Sequence, residues 1–283
     1  MFSRIESYIA QLQADPVAFL ITMAYTWGVI LFSLILHECA HGYVALKCGD
    51  PTAKMLGRLS LNPARHLDPL GTLCMFVLGF GWAKPVPVNP RNFRDFRRDD
   101  FFVSIAGITV NLTIFIAAVL LSCIVNRFLW TQEMLDIMAE EFGEIDILLN
   151  PYYGWVLTFT GLEGSVGASS IMNDGHEMIA AFGEFMRYPW LIWVQRLLLL
   201  LAQVNLTLAV FNLLPFPPLD GFHVLNDTLL KGKLRLNYNL HRITHALLMV
   251  LLLTGVLTEV LHFLTSNLYE AVLRVFMMLT GQM

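Results

Sequence analysis

Three residues that can do proton and metal chemistry crowd into the run His37-Glu38-Cys39-Ala40-His41, within an otherwise uncharged stretch from Pro16 to about Leu46. An ionisable side chain at mid-membrane costs about 2.5 to 3.5 kcal/mol, so such a group needs compensation. On a helix, residues four apart share a face, with Cβ atoms about 5 to 6 Å apart. His37 and His41 can therefore offer one ring nitrogen each to a single zinc ion. Glu38 flanks that ion without having to ligate it. This is the HExxH arrangement, in which the carboxylate takes a proton from a metal-activated water. A catalytic zinc takes three protein ligands and keeps one position open. Asp220 is the only carboxylate between Glu184 and Asp227, and it follows an apolar run that ends Asn212-Leu213-Leu214-Pro215-Phe216-Pro217-Pro218-Leu219. On its own, Pro followed by Asp-Gly spells only a helix stop and a turn.

The elements that must position these residues are membrane spans. Of 283 residues, 56% are apolar and 14% charged, and the mean hydropathy is +0.61. A soluble domain carries about a quarter charged residues, so the composition is that of an integral membrane protein. A net charge of -4 and the lack of a basic, aromatic-interleaved patch argue against nucleic acid as a partner. The four cysteines form no CxxC pair, so neither a disulfide framework nor a thiolate zinc site is signalled. Four stretches reach the roughly 20 apolar residues of a span: Pro16 to about Leu46, Phe101 to Val125, Trp190 to Leu214, and Ile243 to Leu264. A shorter run, Leu70 to Trp82, is interrupted by Gly71, Gly79 and Gly81 and reads as re-entrant.

Charge sets the expected orientation. Thirteen of the 18 basic residues fall in three loops, after the first span, after the short run and after the third span. Those loops are expected in the cytoplasm. The segment 126–189 carries ten acidic residues against Arg127 and Arg187 and is read as an extracytoplasmic insertion. Within it, Thr131 to Phe142 reads as an amphipathic helix with Thr131 as N-cap and Gly143 as stop. Residues 1–15 and 265–283 are read as interfacial helices flanking a single domain over 1–283. His37 and Asp220 both sit where a span meets a basic loop, so this argument puts them at the same depth. The expected fold is an all-α integral membrane bundle. It has about four full transmembrane helices, a re-entrant segment with short β structure, and interfacial terminal helices.

These residues resemble the site-2 protease family of intramembrane zinc metalloproteases, in its compact prokaryotic branch without a PDZ module. The likeness rests on His37-Glu38-Cys39-Ala40-His41-Gly42 and on Asn212-Leu213-Leu214-Pro215 with Leu219-Asp220-Gly221. It extends through Gly49 to Lys54, Gly57 to Pro63, His66 to Thr72 and Gly81 to Pro90, covering about residues 16–125 and 190–230. The resemblance implies His37, His41 and Asp220 as ligands of one Zn2+ per chain and Glu38 as general base. Asn212 would contact the substrate backbone or the developing oxyanion, and Asn205, seven residues earlier, would line the same cavity or bond another helix. One departure is that Ala106-Gly107 is followed by Ile108 where the family usually has Pro; Asn111 is in place.

The function implied is hydrolysis of peptide bonds in or near transmembrane segments of membrane proteins, in regulated intramembrane proteolysis. The setting is a prokaryotic inner membrane, with the lipid bilayer as partner and the active site toward the cytoplasm. Val86 to Val88, between prolines, offers an edge to which an extended substrate could pair. His223, three residues after Asp220, is a candidate to support the metal, and His241 and His245 lack an intervening Glu. Two rivals are a metal-ion transporter, which would line a continuous polar path, and another HExxH membrane protease, whose third ligand would be a downstream Glu.

Overall fold

The computed structural model describes residues 8–10, 12–13, 16–78, 82–142, 183–234 and 238–281. Gly79 and Gly81 of the short run, most of the insertion 126–189 and most of 1–15 lie outside them. The described residues are predominantly helical: α1 (Pro16–Cys48), α2 (Pro69–Leu78), α3 (Phe96–Leu129), α4 (Gln132–Phe142), α5 (Leu191–Leu213), α6 (Asp220–Thr228), α7 (Tyr238–Leu253) and α8 (Val256–Thr280). Three of them are long and apolar enough to cross a membrane, α1 from Phe19, α3 and α5. The expected fourth span is not one straight helix. Its apolar count runs on through Gly255, but there the backbone turns to φ +79°, and α7 and α8 meet at a bend of 76°. Helix α8 then continues through residue 265 without a break. No sheet forms among the described residues, where strand pairing is limited to one bridge, Trp130 to Met186; the short run gives α2, ten residues long.

The chain divides into two compact units, one of which gathers Leu31–Thr113 and Asn205–Leu264 and holds His37, Glu38, His41, Asn212 and Asp220. Helix α1 ends there because Gly49 takes φ +112°. The Asp50 N–H returns to Ala45 O at 2.9 Å and the Gly49 N–H to Leu46 O at 3.2 Å. Those two bonds make the αL stop that satisfies the last carbonyls of a helix. Helix α3 starts at a side-chain cap, with the Arg98 N–H donating to Asp95 Oδ1 at 3.1 Å and the Asp95 N–H to Asp99 Oδ2 at 3.0 Å. Between α1 and α5, Asn205 Nδ2 donates to Ser33 Oγ at 2.8 Å, so of its two expected roles Asn205 takes the inter-helix bond. Leu219 is buried with Leu248, Leu257 and Leu261, packed against Phe211 and Phe216, which anchors the backbone just before Asp220.

The second unit gathers Glu6–Ile30, Ile114–Val204 and Thr265–Met283, as far as they are described. Here Phe115 and Tyr269 pack at 5.7 Å between ring centroids, and buried Gln195 donates to Asn126 Oδ1 at 2.9 Å. Helix α4 forms where the amphipathic pattern places it, but without the expected cap. The Thr131 hydroxyl is buried with no hydrogen-bond partner among the described residues, while the Thr131 N–H donates to Phe185 O at 2.8 Å. Pairing with the 185–187 segment has overridden the local capping preference. Half-buried Glu270 and exposed Arg274 form an i,i+4 ion pair at 2.8 Å on α8.

Asp50 ties the end of α1 to the segment 89–92. It accepts the Asn89 N–H at 2.7 Å, Asn92 Nδ2 at 2.7 Å and the Thr52 N–H at 3.1 Å. Burial opposes its ionisation most, but the bonds from Asn89, Thr52 and Asn92 together hold its pKa below the ordinary carboxylate value. A depressed carboxylate stabilises the fold above its unfolded pKa and loses that contribution as pH falls through the folded value. Asp50→Ala should therefore lower stability by about 3 kcal/mol at pH 7. Thermal unfolding in detergent should show the gap to the parent protein closing as the pH drops toward 3; an equal gap at both ends would contradict this role.

Candidate metal centre

A single turn of α1 carries both histidines, and α3 lies close enough to order them because residue 107 has no side chain. A Cβ built on Gly107 would sit 2.5 Å from His37 Cε1 and from His41 Nε2. On the same face of α3, buried Asn111 brings its amide to His37 Nδ1 at 3.2 Å. His41 Nδ1 lies 2.7 Å from the carbonyl of Val103. A carbonyl only accepts, so His41 is protonated at Nδ1 and its Nε2 carries a lone pair. Asn111 Oδ1 is buried without a hydrogen-bond partner among the described residues. Turning that amide puts Oδ1 against a protonated His37 Nδ1 and leaves His37 Nε2 with a lone pair as well.

These two Nε2 atoms are 3.0 Å apart. Asp220 Oδ2 lies 3.3 Å from His37 Nε2 and 3.3 Å from His41 Nε2, and among the described residues this buried oxygen accepts no hydrogen bond. Zinc bonds of about 2.0 to 2.2 Å in a tetrahedron set neighbouring ligand atoms about 3.3 Å apart. Two lone pairs and a carboxylate oxygen at that spacing repel one another unless a cation lies between them. The donor set fits zinc, and among the described residues this is the one trio of His, Cys, Asp or Glu close enough to hold a metal. Asp220 reaches it from the first turn of α6. Gly221 permits the turn that brings it there, since a Cβ on Gly221 would lie 2.2 Å from the Leu213 carbonyl.

Glu38 stands beside the trio, with its Oε2 accepting the Val86 N–H at 2.7 Å. Among the described residues, Oε1 accepts no hydrogen bond. Asn212 turns its amide along its own helix to Leu208 O at 3.0 Å. His223 pairs with Asp100 at 3.0 Å. That hydrogen bond raises the imidazole pKa against the opposing effect of burial. Nearby Asp227 is pushed up to about 6, first by burial and then by Asp100. His66 is buried on Ser60 O at 2.7 Å, and His245 is exposed. A cavity of about 750 Å³ lies beside the turn of α1 that carries the histidines and the facing turns of α3; it is apolar and lined by Leu36, Ala40, Tyr43, Phe102 and Ala106.

Reading the sequence by residue type found the trio and Glu38 but missed Gly107, Val103 and the Val86 N–H. Asn111 was visible as a polar residue in an apolar span, four after Gly107, without a role attached. Membrane-spanning helices around a buried His-His-Asp trio with an adjacent Glu define an intramembrane metallopeptidase. The chain belongs to Peptidase family M50, the site-2 protease family, whose model matches residues 25–255. It is 37% identical over 211 residues to "Putative zinc metalloprotease YwhC" of Bacillus subtilis (strain 168), covering 74% of this chain and 71% of that protein. No solved structure matches it. The protein is thus a site-2-type metalloprotease with zinc as cofactor.

Gly107→Ala should weaken zinc binding at least about tenfold, because the added methyl displaces both imidazoles. Gly28→Ala, whose Cβ would meet nothing within 4 Å, should leave it unchanged. Chelator competition on the purified proteins measures both; parental affinity in Gly107→Ala would contradict the close approach of α3.

Proposed function

We propose that His37, His41 and Asp220 hold the zinc, that Glu38 is the general base, and that the site hydrolyses peptide bonds in or beside transmembrane segments. The observation that carries this reading is the spacing of the three donor atoms, at 3.0 Å and twice 3.3 Å, next to a carboxylate with one oxygen that accepts no hydrogen bond among the described residues. Zinc, when bound, supplies a Lewis acid that polarises a carbonyl and lowers the pKa of water from 15.7 toward about 7. Glu38 takes the proton of the attacking water on Oε1 while Oε2 stays on the Val86 N–H. It then delivers that proton to the leaving nitrogen. Asn212 contacts the substrate backbone or the oxyanion once its amide leaves Leu208.

A peptide bond within a helix is shielded by its own hydrogen bonds, so the substrate span must unwind locally before it is cut. Val86 has its N–H on Glu38. Val88 is therefore the member of the Val86 to Val88 edge left to pair with an extended substrate. The basic loops support a site near the cytoplasmic face of a prokaryotic inner membrane, with cleavage as a step in regulated intramembrane proteolysis.

Glu38→Gln should retain about one zinc per chain while cleavage of a single-span substrate falls at least about a hundredfold. Asp220→Ala should lose both metal and cleavage. Zinc analysis and a gel-based cleavage assay on the same preparations distinguish the two variants. Normal cleavage by Glu38→Gln would refute the assignment of the base.

A further inference from the structure

A catalytic carboxylate on a flexible side chain must be aimed, and the HExxH run holds no group that aims Glu38. The aiming contact comes from the segment Lys84-Pro85-Val86-Pro87. Proline carries no N–H, so this segment offers only two backbone donors. The Lys84 N–H goes to His66 O at 2.7 Å. The Val86 N–H goes to Glu38 Oε2 at 2.7 Å. No sheet among the described residues holds this segment in register, so something else must fix Val86 against the base.

Arg58 does so. Its Nη2 donates to Lys84 O at 2.8 Å and to Pro85 O at 3.2 Å, clasping the two carbonyls just upstream of Val86. The backbone of Arg58 is itself held, with its N–H on Ala53 O at 2.9 Å. Downstream, Asn89 is fixed on Asp50 at 2.7 Å. The Val86 side chain is 7% exposed and packs onto the bare backbone of Gly42, where an added Cβ would meet its Cγ1 at 2.8 Å. From these contacts we infer that Arg58 is a positioning residue for the general base, acting through the Val86 N–H on Glu38. The inference rests on Glu38 being the base. It assigns Arg58 no contact with zinc and none with substrate.

The test measures kcat, KM and zinc content for Arg58→Ala, Arg58→Lys and a variant in which Val86 is replaced by its α-hydroxy acid. The last exchanges the N–H for an ester oxygen and leaves the side chain in place. Arg58→Ala and the ester should each lower kcat about tenfold with KM and zinc content unchanged, a part of the 10²- to 10⁴-fold that a positioned acid–base group supplies. Arg58→Lys should recover part of kcat, since an ammonium can reach one of the two carbonyls. The two changes act on one contact, so combining Arg58→Ala with the ester should cost no more than either alone. Parental kcat in Arg58→Ala, additive losses in the combined protein, or a fall in zinc content or rise in KM at constant kcat would each overturn the inference. Glu38→Gln run in parallel separates the two readings: if it is inactive while Arg58→Ala is fully active, the base stands and the positioning role falls.

Discussion

Two imidazole lone pairs and a carboxylate oxygen pressed to within 3.3 Å of one another in a largely buried site are mutually repulsive, and a divalent cation held by the three would offset that repulsion. The rest of the unit can be understood as the means of holding the three atoms there. Helix α1 supplies the two nitrogens at helical spacing, and its stop at Gly49 is fixed by returning hydrogen bonds. Helix α3 comes within reach only through Gly107 and then orders both rings from Asn111 and Val103. The third donor arrives from a turn closed at Gly221 and weighted down by the buried leucine cluster around Leu219.

The segment 82–95 between α2 and α3 reaches the site through one backbone donor. Its polar ends are held outside the apolar spans, on Asp50 at one end and on the His66 carbonyl at the other. Its middle turns one N–H toward Glu38. Alternating prolines suit this work. They restrict the backbone toward extended conformations and remove the donors that would otherwise need partners in a water-poor setting. Farther from the metal, His223, Asp100, Asp227 and Arg97 form a second polar group, with Arg97 Nε on the Asp227 carbonyl at 2.6 Å. This group takes His223 away from the His37, His41 and Asp220 trio.

The sequence was legible where long-range physics leaves a local mark. Apolar length located α1, α3 and α5, and ionisable residues in an apolar span marked His37, Glu38 and His41 because insertion disfavours them. The shared depth of two spans brought in Asp220. It was less legible where a single backbone torsion decides. Gly255 bends an apolar stretch by 76°, and hydropathy counts Gly255 like any other small residue. Thr131 reads as a cap, but the strand-like bridge between Trp130 and Met186, more than fifty residues away, carries the Thr131 N–H to Phe185 O instead. Backbone groups, such as the Val103 carbonyl and the Val86 N–H, have no letter in the sequence at all. The side-chain pattern predicted what chemistry the site performs, and the fold supplied what orients it.

X-ray absorption at the zinc edge of the purified protein tests the central claim most directly. The account predicts a first shell of two imidazole nitrogens and carboxylate oxygen at about 2.0 to 2.2 Å. It also predicts that the imidazole signal disappears when His37 and His41 are both replaced. A sulfur shell near 2.3 Å, which would bring Cys39 in as a ligand, or zinc bound without imidazole would contradict it.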